Sequence, residues 1–295
     1  MFPKLSVILI PILLSSTVFA AQVFQTLAPA AGQSEFTPSI GLAALSAETK
    51  GSPKVTMSAA LVNLGISYYY GLAEGHSIGA EAGYNSQAVM STAAGFADTT
   101  QKRNGLTNSA VMYKGLFETG SASIFAQLGY RFSLEKEKYN TTDREGNMAD
   151  GQNAILVNVG AYAPVTTEIT LGGLVKYVKA NDGEKTSTTS GVDTTSKITG
   201  GGSTLVVVFF ELPSNEYKPN ASLGYQTQNS YESVSGGTTS KTDETHFLVI
   251  TGSAQFPIQP NFSFNPEIIY QSILSNDSFD RYGVVGVSGS LRLLF

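Results

Sequence analysis

Chemistry needs side chains that hold a proton, a metal or a charge, and this 295-residue chain offers few of them. It has no Cys and only two His, which removes thiol catalysis, disulfide frameworks and Cys-ligated metal sites. His76 is followed by Ser77, but neighbours on a strand point to opposite faces, so the two do not converge. His246 precedes Phe247 and Leu248, and only Ser233 or Ser235, across a hairpin, could bring a hydroxyl to it as nucleophile to base. The plainer reading is a histidine at a membrane rim. Asp143, Glu145, Asn147 and Asp150 in the loop Thr142 to Gly151 place oxygens at alternate positions, as a calcium loop does. No Glu closes that loop at its twelfth position, so it reads as a solvated turn, and neither a metal nor a cofactor is expected. What remains is a sparse, balanced set of charges inside otherwise apolar or small-residue segments: Glu81, Lys114, Arg131, Glu135, Lys176, Glu267 and Arg292. Such a set does not make or break bonds, but it can sort solutes.

Composition narrows the setting. Aliphatic and aromatic residues make up 42% of the chain and charged residues 14%, against the roughly 25% charged of soluble globular proteins. With 18 basic and 23 acidic residues the net charge is −5, which gives no electrostatic grip on a phosphate backbone, so nucleic acid is excluded as a partner. At the start, Lys4, the apolar stretch Leu5 to Leu14 and the small-residue exit Val18, Phe19, Ala20, Ala21 read as a secretory signal peptide over residues 1–21, cut near Ala20 or Ala21. Pro11 argues against a retained helical anchor. Beyond it the longest apolar run is Leu205 to Phe210, far short of the roughly 20 residues of a spanning helix and rich in β-branched residues.

The elements that carry the charges alternate with a period of two. In Ala122 to Glu135, Ile124, Ala126, Leu128, Tyr130, Phe132 and Leu134 share one face and Ser123, Gln127, Gly129, Arg131, Ser133 and Glu135 the other. About twelve segments read as strands: Phe36 to Ala47, Val55 to Leu72, Ser77 to Val89, Leu106 to Phe117, Ala122 to Glu135, Asn153 to Ala163, Ile169 to Lys179, Gly202 to Glu211, Ala221 to Ser230, His246 to Ile258, Phe262 to Ile273 and Gly283 to Phe295. The second changes phase near Leu61 and Val62, which predicts a bulge or an overlong strand. In the eighth, Val206 and Val208 or Leu205 and Val207 face inward, as plain packing, an inward-folded loop or a hydrophobic ligand track; its phase, and that of Glu211, stays open.

Short connections interleave with longer polar ones at Met90 to Gly105, Lys136 to Gln152, Ala180 to Gly201 and Tyr231 to Thr245. Transmembrane barrels have this asymmetry, with short turns on one side and longer loops on the other. The Thr- and Ser-rich stretch Thr186 to Thr199 reads as a mobile external loop. The wet face of the strands is mostly Gly, Ser, Asn and Gln, small residues suited to the inside of a closed barrel, and closure removes the unpaired edges that hydrocarbon does not tolerate. Tyr68 to Tyr70 and Tyr113 suit interfacial girdles, which Tyr and Phe must supply because there is no Trp.

The last segment, GVVGVSGSLRLLF, sets Leu291, Leu293 and Phe295 on one face and ends on an aromatic. It resembles the closing strand of Gram-negative outer-membrane β-barrels of porin-like type, with Ser290 standing beside Gly289 where that family usually has Gly. The resemblance implies a closed antiparallel up-and-down barrel over residues 36–295, a periplasmic leader over residues 22–35, and location in the outer membrane. It also implies outer-membrane lipids and the barrel assembly machinery as partners, the latter reading Leu291, Leu293 and Phe295 as the insertion signal.

Equal depth from the strand ends predicts two cross-strand ion pairs, Glu81 with Lys114 and Glu267 with Arg292. The seven charges then form a polar constriction, or simply fill and stiffen the interior. The expected activity is passive diffusion of small hydrophilic solutes through a narrow lumen with mixed charges, without catalysis. The alternatives are a structural barrel, surface receptor or adhesin with a plugged lumen, and an outer-membrane lipid hydrolase.

Overall fold

The structure is a computed structural model that describes residues 28–295 except 51–52, 94, 214–215 and 277. The expected signal peptide and the first six leader residues lie outside the described residues.

Among the described residues every regular element is a strand. In chain order they are β1 (Ser34–Thr49), β2 (Val55–Ala73), β3 (His76–Ala93), β4 (Thr99–Leu106), β5 (Ser109–Glu118), β6 (Ser123–Phe132), β7 (Glu137–Asn140), β8 (Glu145–Gly146), β9 (Gln152–Pro164) and β10 (Thr170–Thr189). There follow β11 (Val192–Gly200), β12 (Gly202–Glu211), β13 (Asn220–Gln228), β14 (Tyr231–Ser235), β15 (Thr238–Lys241), β16 (Thr245–Ser253), β17 (Phe256–Gln259), β18 (Phe262–Ser275) and β19 (Phe279–Leu294). Twelve of them form an antiparallel ring, in the order β1, β2, β3, β5, β6, β9, β10, β12, β13, β16, β18, β19. The ring closes where β19 pairs with β1, from Glu35↔Leu294 to Thr49↔Phe279. Ser34 and Phe295 exchange backbone bonds of 2.7 and 3.0 Å, so both ends of the cylinder wall meet at one rim, called here the near end.

Each of the twelve expected segments has its counterpart in the ring. The physical basis is the alternation itself: outward residues meet one solvent and inward residues another. Leu42, Ile66, Leu128, Val208, Ile268 and Val285, on six different strands, are each more than half exposed. Apolar surface of that extent around a whole circumference is not stable in water, and a closed barrel leaves no unpaired strand edge in hydrocarbon. Tyr68, Tyr70 and Tyr113 face outward towards the near end, and Tyr130, Tyr177, Tyr225 and Tyr270 face outward towards the far end, as two aromatic girdles do.

Three expectations are corrected and one is decided between its alternatives. The ladder runs without a shift through Leu61 and Val62 on both sides of β2, which is 19 residues long, so the second segment is an overlong strand and not a bulged one. Val55, Met57 and Leu61 are buried, facing inward; what changes along β2 is the polarity of the lumen, not the backbone. β6 ends at Phe132, and the tenth segment splits into β16 and β17. The stretch Thr186 to Thr199 is not a loose loop: β10 runs on to Thr189 and pairs with β11 from Gly183↔Ile198 to Thr189↔Val192. Its turn, Ser190 and Gly191 at φ 51° and 79°, has the pair of positive φ angles that fits the twist of a two-residue hairpin. Threonine's β-branched side chain favours the strand without needing burial. The other long polar connections carry β4, β7 with β8, and β14 with β15, which extend the sheet past the far end.

Candidate functional site: the lumen

Of the seven charged residues read as lumen groups, six sit at inward positions of ring strands, and Glu135 does not. With β6 ending at Phe132, Glu135 falls in the turn that follows, exposed, and accepts a bond from Asn147 Nδ2. Arg131 points inward near the far end and pairs with Asp150 at 2.8 Å. That bond takes Asp150 out of the loop read as faintly calcium-like. Asp143 meanwhile accepts from Asn140, and the Asn147 oxygen accepts from the Lys138 amide.

The two expected ion pairs do not form as drawn. The ladder sets Glu81 against Ala110 and Lys114 against Ser77, four residues and about 13 Å apart along the strand. Likewise Glu267 stands against Ser288 and Arg292 against Ser263. Barrel strands are staggered around the axis, so residues equally far from their own strand ends are not level. Arg292 pairs instead with Glu35, through Nη2 at 2.8 Å and Nε at 2.9 Å. Glu35 was assigned to the leader, yet Phe36, Ile40 and Leu42 point outward and Glu35 is buried.

Glu81 and Lys114 meet through a third residue that was read as part of the girdle. Tyr69 is 1% exposed, between the outward Tyr68 and Tyr70. Its hydroxyl donates to Glu81, and Lys114 Nζ lies 3.3 Å from the centre of its ring. Such a contact between an ammonium and an aromatic face is attractive, more so away from water. A Cβ on Gly79 would come within 2.3 Å of the Tyr69 ring, so the glycine provides the bed on which the ring lies. Lys114 is within electrostatic reach of Glu81, Glu35 and Arg292, and Lys176 of Glu267 and Glu81. Three acids, on β1, β3 and β18, and three bases, on β5, β10 and β19, thus form one charge-balanced network in the lumen.

The remaining wall has an apolar cluster set among polar groups such as the hydrogen-bonded pair Gln127 and Asn158. Strand β12 is now phased: Val206, Val208 and Phe210 are exposed outward, while Val207 and Phe209 are buried inward with Glu211 on the same face. Phe209 and Val207 pack with Phe125 of β6 and Leu174 of β10, backed by Leu116 and Tyr162. Phe209 also has a glycine bed, since a Cβ on Gly172 would fall 2.2 Å from its Cζ. A second apolar cluster, including Phe247, Val249, Ile269 and Tyr282, fills the opposite side of the lumen towards the far end. Leu205 packs against both clusters. Above, Arg103 and Glu137 form a buried pair at 3.0 Å. Beside it is a cavity of about 70 Å³ bordered by Arg131, Gln152, Gln226 and Tyr231.

Both histidines lie at rims. His76 bonds to Tyr113 Oη at 2.6 Å. His246 Nδ1 contacts Tyr225 Oη at 2.7 Å and its Nε2 lies 3.3 Å from Glu244. Ser233 instead stands in β14, paired with Ile198 and Ser240.

Solved structures with the same architecture are outer-membrane proteins. An outer membrane channel from Pseudomonas putida F1 superposes with a TM-score of 0.63 at 9% identity, over 91% of this chain and 98% of that one. The transport unit of the autotransporter AIDA-I from Escherichia coli gives 0.51 at 12% identity, over 88% and 90%. No family model matches the chain, and no curated protein matches it. At these identities the likeness is one of fold. It agrees with the outward apolar belt and the closed ring: the chain has the fold of a Gram-negative outer-membrane β-barrel.

Proposed function

We propose that this barrel conducts small solutes passively across the outer membrane, through a narrow lumen whose mixed charges select among them. The observation that carries the reading is the charge-balanced network of Glu35, Glu81, Glu267, Lys114, Lys176 and Arg292 inside the cylinder. Buried ion pairs contribute little or nothing to stability when compared with apolar residues of the same size. A lumen needing only to be filled could therefore use apolar packing throughout, and charges in it are better explained by contact with passing solutes. No bond-making chemistry is part of this reading. His246 Nδ1 contacts Tyr225 Oη and Thr227 Oγ1, and its Nε2 faces Glu244. Small solutes, outer-membrane lipids and the assembly machinery are the proposed partners. Leu291 and Leu293 of β19, with Phe295 just past its end, are the proposed insertion signal.

A second reading has an observation of its own. Tyr69 and Asn265 are each 1% exposed although they point into the lumen, which favours a cylinder filled by its own side chains and serving as a structural or surface-receptor barrel. Conductance of the purified protein in planar bilayers separates the two. Discrete current steps whose ion selectivity shifts towards cations in Lys114→Gln support the channel, and a bilayer that stays silent overturns it.

A further inference from the structure

We propose that the polar cavity at the far mouth of the lumen binds a neutral polyhydroxylated solute the size of one sugar ring. The site stands on the cavity itself; its service as an entry subsite rests on the channel reading above and narrows the solute class. The cavity, of about 70 Å³, is bounded on the barrel side by Ser203 of β12 and Gln226 of β13, and beyond the far end by Glu137 of β7 and Tyr231 of β14. One water takes roughly 10–15 Å³ of such space, so the cavity holds the volume of several waters. Gly200, Gly201 and Gly202, at φ 79°, 92° and 108°, carry the chain from β11 to β12 along its edge. A Cβ on Gly201 would stand between Tyr231 Cβ at 3.6 Å and Gln152 Oε1 at 3.8 Å, so the bare backbone keeps that space clear.

The charges of this wall are matched, whereas its uncharged groups are not. Arg131 pairs with Asp150 at 2.8 Å and Glu137 with Arg103 at 3.0 Å, so an ion entering the cavity meets both signs already answered within the protein. Ser203 Oγ, Gln226 Nε2, the Asn229 side chain and Tyr231 Oη have no hydrogen-bond partner among the described residues; Gln226 uses only its oxygen, towards Gln271. Gln152 is held the other way round, its Nε2 donating to the Asn181 and Gly200 carbonyls, which leaves its oxygen to the cavity. Burial, with Glu137 nearby, pushes the Tyr231 hydroxyl up to about 12, so it remains a donor at neutral pH. Partly enclosed polar groups without partners are costly, and the hydroxyls of a sugar satisfy donors and acceptors alike, while Val178 and Ala180 offer an apolar side to its ring C–H groups. Next below the cavity come Leu205, opposite Gln226, and Lys176, opposite Leu205. A solute leaving it inward therefore reaches the charge network.

The chain has no Trp, so Tyr231→Trp, which keeps a ring and a donor at the site, reports without background. In lipid nanodiscs it is titrated with D-glucose and with glucosamine and glucuronate, the cationic and anionic counterparts, and Tyr177→Trp on the outward girdle is the control. A saturable emission change with glucose, weaker with either charged sugar, is expected for Tyr231→Trp and none for Tyr177→Trp. Adding Gln226→Met, which removes the amide and keeps the length, should weaken the apparent affinity about tenfold, as loss of one hydrogen bond does. Adding Ser203→Leu, which fills the cavity, should abolish saturation. A linear or absent response, or undiminished affinity with Ser203→Leu, overturns the site; a charged sugar bound as tightly as glucose or tighter overturns the neutral solute. If Tyr231→Trp does not fold, saturation-transfer NMR of the same sugars on the wild-type protein takes its place. Wild-type conductance is measured alongside. Current without saturable binding removes this inference and leaves the channel, and saturable binding in a silent bilayer removes the channel and leaves the site on a receptor barrel.

Discussion

The lumen has two walls that use one device for different ends. On the wall formed by β1, β2, β3, β5 and β19, the ring of Tyr69 lies over Gly79 and carries a charge network, Glu81 on its hydroxyl and Lys114 on its face. On the wall formed by β6, β9, β10 and β12, the ring of Phe209 lies over Gly172 and packs with Phe125, Leu174 and Val207. In both, an inward glycine makes room for an aromatic ring from the next strand, which is where part of the chain's high glycine content goes. The difference teaches that the outside of this barrel is uniform because lipid makes one demand everywhere, while the inside varies because each wall answers to the wall it faces.

Substitutions that break one wall and spare the other sharpen the contrast. The largest effect is expected from Glu35→Ala, which strands the Arg292 guanidinium in the lumen. Loss of one partner of a buried pair costs about 3–5 kcal/mol, to be read as a fall in the urea midpoint of the protein in lipid. If the midpoint holds, water reaches Arg292 and the network is not a dry one. On the opposite wall Phe209→Ala removes a buried ring and should destabilise by about 3 kcal/mol while leaving the reversal potential in a salt gradient unchanged. A shifted potential would mean that the two walls do not act separately.

A smaller change, about 1 kcal/mol, is expected for Tyr69→Phe, which keeps the ring beneath Lys114 and removes only the donor to Glu81. Its ion selectivity should move towards cations, because Glu81 is left more available, and unchanged selectivity would place Glu81 outside the conducting path. The smallest effect lies beyond the far end, where the Lys136 ammonium hydrogen-bonds to Glu184 and holds its carboxyl below the usual carboxylate range. A depressed acid contributes stability that is present above its ordinary pKa and lost as the pH falls through the lowered one. Protection factors of the amides in β7 and the outer half of β10, which correct for the slower intrinsic exchange in acid, should therefore fall on acidification through that range, and only slightly, since the pair is solvent-exposed and screened. An equal fall in Lys136→Met would show that the pair contributes nothing.

What could be read from residue types was whatever depends on alternation. The twelve ring strands, the outward apolar face and the inward placement of Glu81, Lys114, Arg131, Lys176, Glu267 and Arg292 all follow from a period of two. Tyr69 was legible by the same rule, since it falls between two outward tyrosines, but its aromatic character drew it into the girdle. Glu35 was missed by one residue at a strand start. The hairpin of β10 and β11 was hidden for another reason: both its faces are polar, so the pattern that marks a half-buried strand is lacking there.

By itself the sequence determined that the chain closes into a cylinder with hydrocarbon outside, because side-chain alternation is a local property and lipid imposes the same requirement on every strand. Only the tertiary structure decided which charges meet, that Arg292 takes Glu35 and that Tyr69 stands between Lys114 and Glu81, and that Leu205 joins two apolar clusters into one seam. Those contacts depend on the stagger between strands and on reach across the lumen, and neither quantity is written in the spacing of residues along one strand.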